Sequence, residues 1–125
     1  MHYLFKKQLL LLISMTLLAS SVVLTACYKN YWVYANPDSL YFSSDDETPK
    51  YVDVIVDGGW FISQVDPFIS VDPKSGKAKG FTVRMAESNP DIYSRVGHIV
   101  VSSLEEPNNT AIITVHQDGR NKYDY

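Results

Sequence analysis

The chain has 125 residues, 46% of them apolar and 20% charged, with 11 basic side chains against 14 acidic ones. The first 26 residues hold eight of the ten leucines and, as charges, only Lys6 and Lys7; the rest of the chain keeps nine basic and 14 acidic groups, a net charge of −5. That sign excludes the broad cationic surface of a nucleic-acid binder, and about 100 residues support one core rather than two.

In chain order, the first element is an apolar run from Leu9 to Val23, behind Lys6 and Lys7 and broken only by Ser14, Thr16, Ser20 and Ser21. A basic start, an apolar stretch and small residues before a cut site form the layout of a secretory signal. A membrane-spanning helix needs roughly 20 apolar residues, a length this segment approaches, so length does not separate the two. The run ends in Leu24-Thr25-Ala26-Cys27, which resembles the lipobox of bacterial lipoproteins. The resemblance implies removal of residues 1–26 and a palmitate-type lipid anchor on Cys27. Tyr28 follows the cysteine instead of the Asp associated with inner-membrane retention, which implies the outer membrane, with periplasmic or outward orientation open.

Cys27 is the only cysteine, so no intramolecular disulfide can form and the fold must be held by its core. Its neighbours Ala26 and Tyr28 offer no base or cation to hold a nucleophilic thiolate. Residues 27–38 are expected to form a lipidated tether, where Tyr28, Tyr31, Trp32 and Tyr34 suit a membrane–water interface.

Beyond Cys27 there are 18 Val and Ile residues but only two leucines, Leu40 and Leu104, a ratio that favours pleated sheets. Strands are predicted at Ser39 to Ser43, Tyr51 to Asp57, Trp60 to Gln64, Ile69 to Asp72, Gly80 to Ala86, Val96 to Ser102 and Ala111 to Gln117. The second alternates, with Val52, Val54 and Val56 on one face and Asp53 and Asp57 on the other. Asp57-Gly58-Gly59 predicts a hairpin into the strand at Trp60. Pro73-Lys74-Ser75-Gly76, Ser88-Asn89-Pro90-Asp91 and Glu106-Pro107-Asn108-Asn109 read as turns, with Gly76 expected at positive φ. Seven short strands at roughly ten-residue intervals predict an all-β, seven-stranded immunoglobulin-like β-sandwich over residues 39–119, with residues 120–125 as a polar tail. An up-and-down barrel is the alternative.

From Trp60 onward the motifs run in order: Trp60 and Ile62, Phe68-Ile69-Ser70-Val71-Asp72-Pro73-Lys74-Ser75-Gly76, Phe81-Thr82-Val83, Asn89, Arg95-Val96-Gly97-His98-Ile99-Val100-Val101, and Ile113-Thr114-Val115-His116-Gln117-Asp118-Gly119. This ordered set resembles the BACON domain, a small β-sandwich module common in Bacteroidetes proteins. The likeness spans roughly residues 39–119, with Phe68 where the family usually carries a second Trp. It implies a non-catalytic module that binds carbohydrate or mucin-type glycoprotein at the cell envelope.

The residues themselves point mostly to scaffold. Trp60 reads as a core plug, with a sugar platform as its alternative. Arg95 is expected to tie a loop end through carbonyls or an acid such as Asp91, and Gln117 to satisfy backbone groups near the end of the last strand. His98 and His116 read as exposed strand residues, and Asp45-Asp46-Glu47 as a solvated loop or a weak calcium site. Neither His-x-x-x-His nor paired-Cys spacing is present, so no metal or cofactor is expected, and no enzyme.

Fourteen aromatic residues follow Cys27, and sugar rings offer apolar faces to flat side chains. If the strands alternate in direction, Ser43 to Lys50, Gln64 to Phe68 and Glu87 to Tyr93 share the membrane-distal end. Phe68 and Tyr93, with Trp60, are therefore the candidate ligand-binding residues. The competing expectation is a structural or protein-interaction module that pairs through an exposed edge strand.

Overall fold

The computed structural model describes residues 30–121; the expected signal segment 1–26, the expected lipidation site Cys27, and residues 122–125 lie outside that range. Among the described residues there are nine strands: β1 (Tyr34–Asn36), β2 (Ser39–Phe42), β3 (Lys50–Ile55), β4 (Trp60–Val65), β5 (Ile69–Asp72), β6 (Ser75–Gly76), β7 (Phe81–Met85), β8 (Arg95–Ser103) and β9 (Thr110–Gln117). They form a four-stranded sheet of order β1-β3-β7-β5 and a five-stranded sheet of order β2-β9-β8-β4-β6. Neighbours are antiparallel except β2, which runs parallel to β9.

All seven sequence-predicted strands are present, and the two additional ones correct the boundaries. Tyr34–Asn36, expected as tether, is a strand of the four-stranded sheet. Pro37 has no N–H to continue a ladder, so the chain leaves β1 there and enters the other sheet as β2. The turn after Pro73 contains β6, whose Ser75 and Gly76 pair with Phe61 and Trp60. At the other end the Arg120 N–H donates to the Asp91 carbonyl at 2.6 Å, so Arg120, expected in the polar tail, is held to the fold.

The core follows from the period-two pattern. Val52 and Val54 of β3, Ile69 and Val71 of β5, and Phe81, Val83 and Met85 of β7 face inward from one sheet. Leu40 and Phe42 of β2, Trp60 of β4, Ile99 and Val101 of β8, and Ile113 and Val115 of β9 meet them from the other in one apolar cluster.

The predicted hairpin at Asp57-Gly58-Gly59 does not form. Gly58 does take a positive φ of 88°, but β3 pairs with β1 and β7, whereas β4 pairs with β6 and β8. The turn crosses between sheets instead of joining neighbours. A left-handed glycine fixes a chain reversal; which strands then pair depends on distant partners. Gly76 is corrected too, since Gly58 is the one described glycine at positive φ. Its smallness matters instead, because a Cβ there would meet the Trp60 indole at 3.0 Å.

Candidate functional site

The loops after β2, β4 and β7 gather at one end of the fold, as strand alternation predicts, and polar side chains hold them together. Buried Asn89 donates through its Nδ2 to the Tyr93 and Asp118 carbonyls, at 2.8 and 3.2 Å, and accepts from the Asp91 N–H at 3.1 Å. Gln117, fully buried at the end of β9, donates to the Ser44 and Glu87 carbonyls, both at 3.1 Å. Its Oε1 accepts from Arg95 Nε at 2.7 Å. The expected tie through Arg95 is thus present, but its acid is Glu87, at 3.5 Å, rather than Asp91.

The three sequence candidates separate here. Trp60 is completely buried, its Nε1 donating to the Lys79 carbonyl at 2.8 Å and its ring tilted against Phe81 at 5.5 Å. No face of it is left for a sugar. Phe68 is 8% exposed and capped by the Arg95 guanidinium 4.3 Å above its ring, so the loop aromatic has become packing. Tyr93 is 73% exposed, but with Phe68 and Trp60 withdrawn it has no coplanar partner among the three. His98 is exposed, and half-buried His116 stacks on Tyr41 at 4.5 Å. In the Asp45-Asp46-Glu47 loop the Asp46 carboxylate accepts from the Thr48 N–H at 2.8 Å, and this bond holds its pKa below the ordinary carboxylate value. Among the described residues no three His, Cys, Asp or Glu groups converge to hold a metal ion.

The outer face of the four-stranded sheet presents a different arrangement. Tyr51 of β3 is opposite Thr82 of β7, and Thr82 is opposite Asp72 of β5. Two residues further along the same face, Arg84 is opposite Ser70. Ser70, Asp72, Thr82 and Arg84 line a shallow depression of roughly 210 Å³. Tyr51 flanks it, 55% exposed, with its hydroxyl accepting from the Gly80 N–H at 2.8 Å. Gly80 also lies close against the β3 backbone, where a Cβ would sit 1.8 Å from the Val52 carbonyl oxygen.

This pinned ring gives a flat apolar surface whose ordering cost has already been met in folding. Beside it stand a carboxylate acceptor, a guanidinium donor and two hydroxyls that do both. Further along the face lie Asp53, Ile55 and Tyr34, the last two opposite one another and both exposed. Sequence reasoning missed Tyr51 because the valines of β3 drew attention to the inner face. The available signal was the other phase of the same alternation, in which an aromatic occupies a solvent position.

No family model matches the chain, and no curated protein matches it. Solved structures do share the fold. A Bacteroides ovatus GH5 xyloglucanase in complex with a XXXG heptasaccharide superposes with a TM-score of 0.59 and 19% identity, covering 74% of this chain and 20% of that one. The chaperone–tip adhesion subunit pre-assembly complex of archaic chaperone–usher Csu pili from Acinetobacter baumannii matches with a TM-score of 0.54 and 12% identity, covering 74% of this chain and 53% of that one. The chain therefore spans about a fifth of the first structure's length and about half of the second's.

Proposed function

We propose that this protein is a non-catalytic, lipid-anchored envelope module with a BACON-like immunoglobulin-type sandwich, binding carbohydrate or glycan-bearing protein on the outer face of its four-stranded sheet. The observation that carries the reading is the exposed, hydrogen-bonded Tyr51 ring beside the depression lined by Ser70, Asp72, Thr82 and Arg84. The immunoglobulin-type assignment is supported by strand order: β1-β3-β7-β5 follows an A-B-E-D sheet, and β9-β8-β4 follows G-F-C. Lipid anchoring and the outer-membrane location rest on Leu24-Thr25-Ala26-Cys27 and Tyr28. A Cys27→Ala chain is expected to lose both acyl label and membrane retention; a variant still labelled and retained removes that part of the proposal.

The binding test compares the full chain in detergent with a Tyr51→Ala variant on immobilised polysaccharides and mucin glycans. The parent is expected to bind and the variant to bind at least about tenfold more weakly, near 1.4 kcal/mol for a lost stacking surface. Tyr51→Phe keeps the ring and is expected to retain most of the affinity. A parent chain that binds none of the panel would falsify the carbohydrate reading. An interaction module would then lead, supported by the exposed Tyr41, Val96 and Ile112 of the five-stranded sheet.

A further inference from the structure

We infer that the preferred ligand of the Tyr51 face is an acidic oligosaccharide of at least two sugar units, with its carboxylate or sulfate group taken by Arg84. This rests on the carbohydrate reading and deepens it. The length follows from the register. Tyr51, Thr82 and Asp72 form one row across three neighbouring strands, so the backbones at Tyr51 and Asp72 stand two strand spacings apart, roughly 10 Å. Two linked units lying across the strands match the length of that row better than one pyranose does.

The charge preference follows from where the cations are. The chain after Cys27 is acidic by five charges, yet four of its described cations, Lys74, Lys77, Lys79 and Arg84, lie on β7 or on the loop from β5 to β7. All four are exposed. The ion pair found among the described residues joins Arg95 to Glu87 instead. Lys74 follows Asp72 by two residues and Lys79 precedes Thr82 by three, so their backbones lie within roughly 8 and 11 Å of the depression, comparable to the screening length at physiological salt. Asp72 within the depression and Asp53 on the same face offset part of that field.

Arg84 supplies a planar fork that fits a carboxylate or sulfate bidentately. Asp72, Ser70 and Thr82 remain for the hydroxyls of the same sugar, and Tyr51 for the ring of the next. The lysines raise the local concentration of the anion without needing a fixed geometry.

The full chain in detergent is titrated with hexagalacturonate (carboxylates), sulfated cellohexaose (sulfates), and cellohexaose and mannohexaose as uncharged probes. At least one acidic probe is expected to bind about tenfold or more tightly than either neutral one, and to weaken as salt rises from about 50 to about 500 mM. The stronger acidic probe identifies the oxyanion. Arg84→Gln is expected to remove about tenfold of that preference with an unchanged circular dichroism spectrum, and galacturonic acid alone to bind far more weakly than the hexamer. Neutral probes that bind as tightly as the acidic ones, indifferent to salt and to Arg84→Gln, overturn the inference and leave the carbohydrate reading standing. Acidic binding unaffected by both Arg84→Gln and Tyr51→Ala overturns it as well, because the attraction is then diffuse. A chain that binds none of the probes loses both.

Discussion

A Trp60→Ala chain is expected to lose about 3–5 kcal/mol of folding stability, read as a lowered urea midpoint. The indole is completely buried and packs on Phe81, and Gly76 has no side chain because the ring occupies that space. Its removal leaves a cavity that both sheets line, and it orphans the Lys79 carbonyl that Nε1 now satisfies. With no disulfide available in a chain of one cysteine, that loss is a large share of the 5–15 kcal/mol typical of a whole domain. Trp60→Phe keeps most of the volume and is expected to cost about half as much. A Trp60→Ala unfolding free energy within about 1 kcal/mol of the parent's would show that the two sheets do not depend on this plug.

The second large effect is expected at Gln117, where the loss is polar rather than volumetric. Gln117→Leu preserves the bulk but removes the acceptor for Arg95 Nε and the donor to the Ser44 and Glu87 carbonyls. Each orphaned group costs on the order of 1–3 kcal/mol when water cannot replace the partner. The expected total is about 3 kcal/mol, because Arg95 keeps other partners, the Glu87 and Ser88 carbonyls and the Glu87 carboxylate. That second set also predicts non-additivity. Arg95→Met in the Gln117→Leu background is expected to cost at least about 0.5 kcal/mol less than in the parent, since the pair already shares its loss. Strict additivity in urea melts would mean that the two side chains hold the loops independently.

What could be read from the residues was the local geometry. Strands at Tyr51 and Ala111 follow from alternation that any pleated, half-buried segment must show, and Trp60 and Gln117 follow from burial and satisfaction rules that act on single side chains. Pairing was not legible in the same way. The Gly58 turn has a sequence signal for reversal, yet β3 and β4 find their ladders with β7 and β8, some 30 to 40 residues further on. β1 and β6 were missed because three- and two-residue strands are too short for a period to show. β1 is recognisable only once Pro37 is known to divert the chain between sheets.

Two of the three binding candidates, Trp60 and Phe68, are buried, and the burial of Phe68 was hidden from the sequence for a related reason. Phe68 lies at the expected end of the fold, but Gly97 leaves room for its ring and Arg95 caps it, neither of which a single-residue reading can see. Tyr51 was available in the sequence as the outward member of a strand already predicted. Only the register that sets it beside Thr82, Asp72 and Arg84 turns one exposed aromatic into a candidate site.

The location of that site is the central claim, and an isotope-labelled full chain in detergent micelles tests it most directly. Backbone amide shifts are followed during parallel titrations with hexagalacturonate and cellohexaose. Saturable shifts are expected at Tyr51, Ser70, Asp72, Thr82 and Arg84, with the Trp60 indole N–H unmoved because it is sealed in the core. Shifts centred on Ile92 and Tyr93, or on Val96 and Ile112 across the five-stranded sheet, would contradict the account.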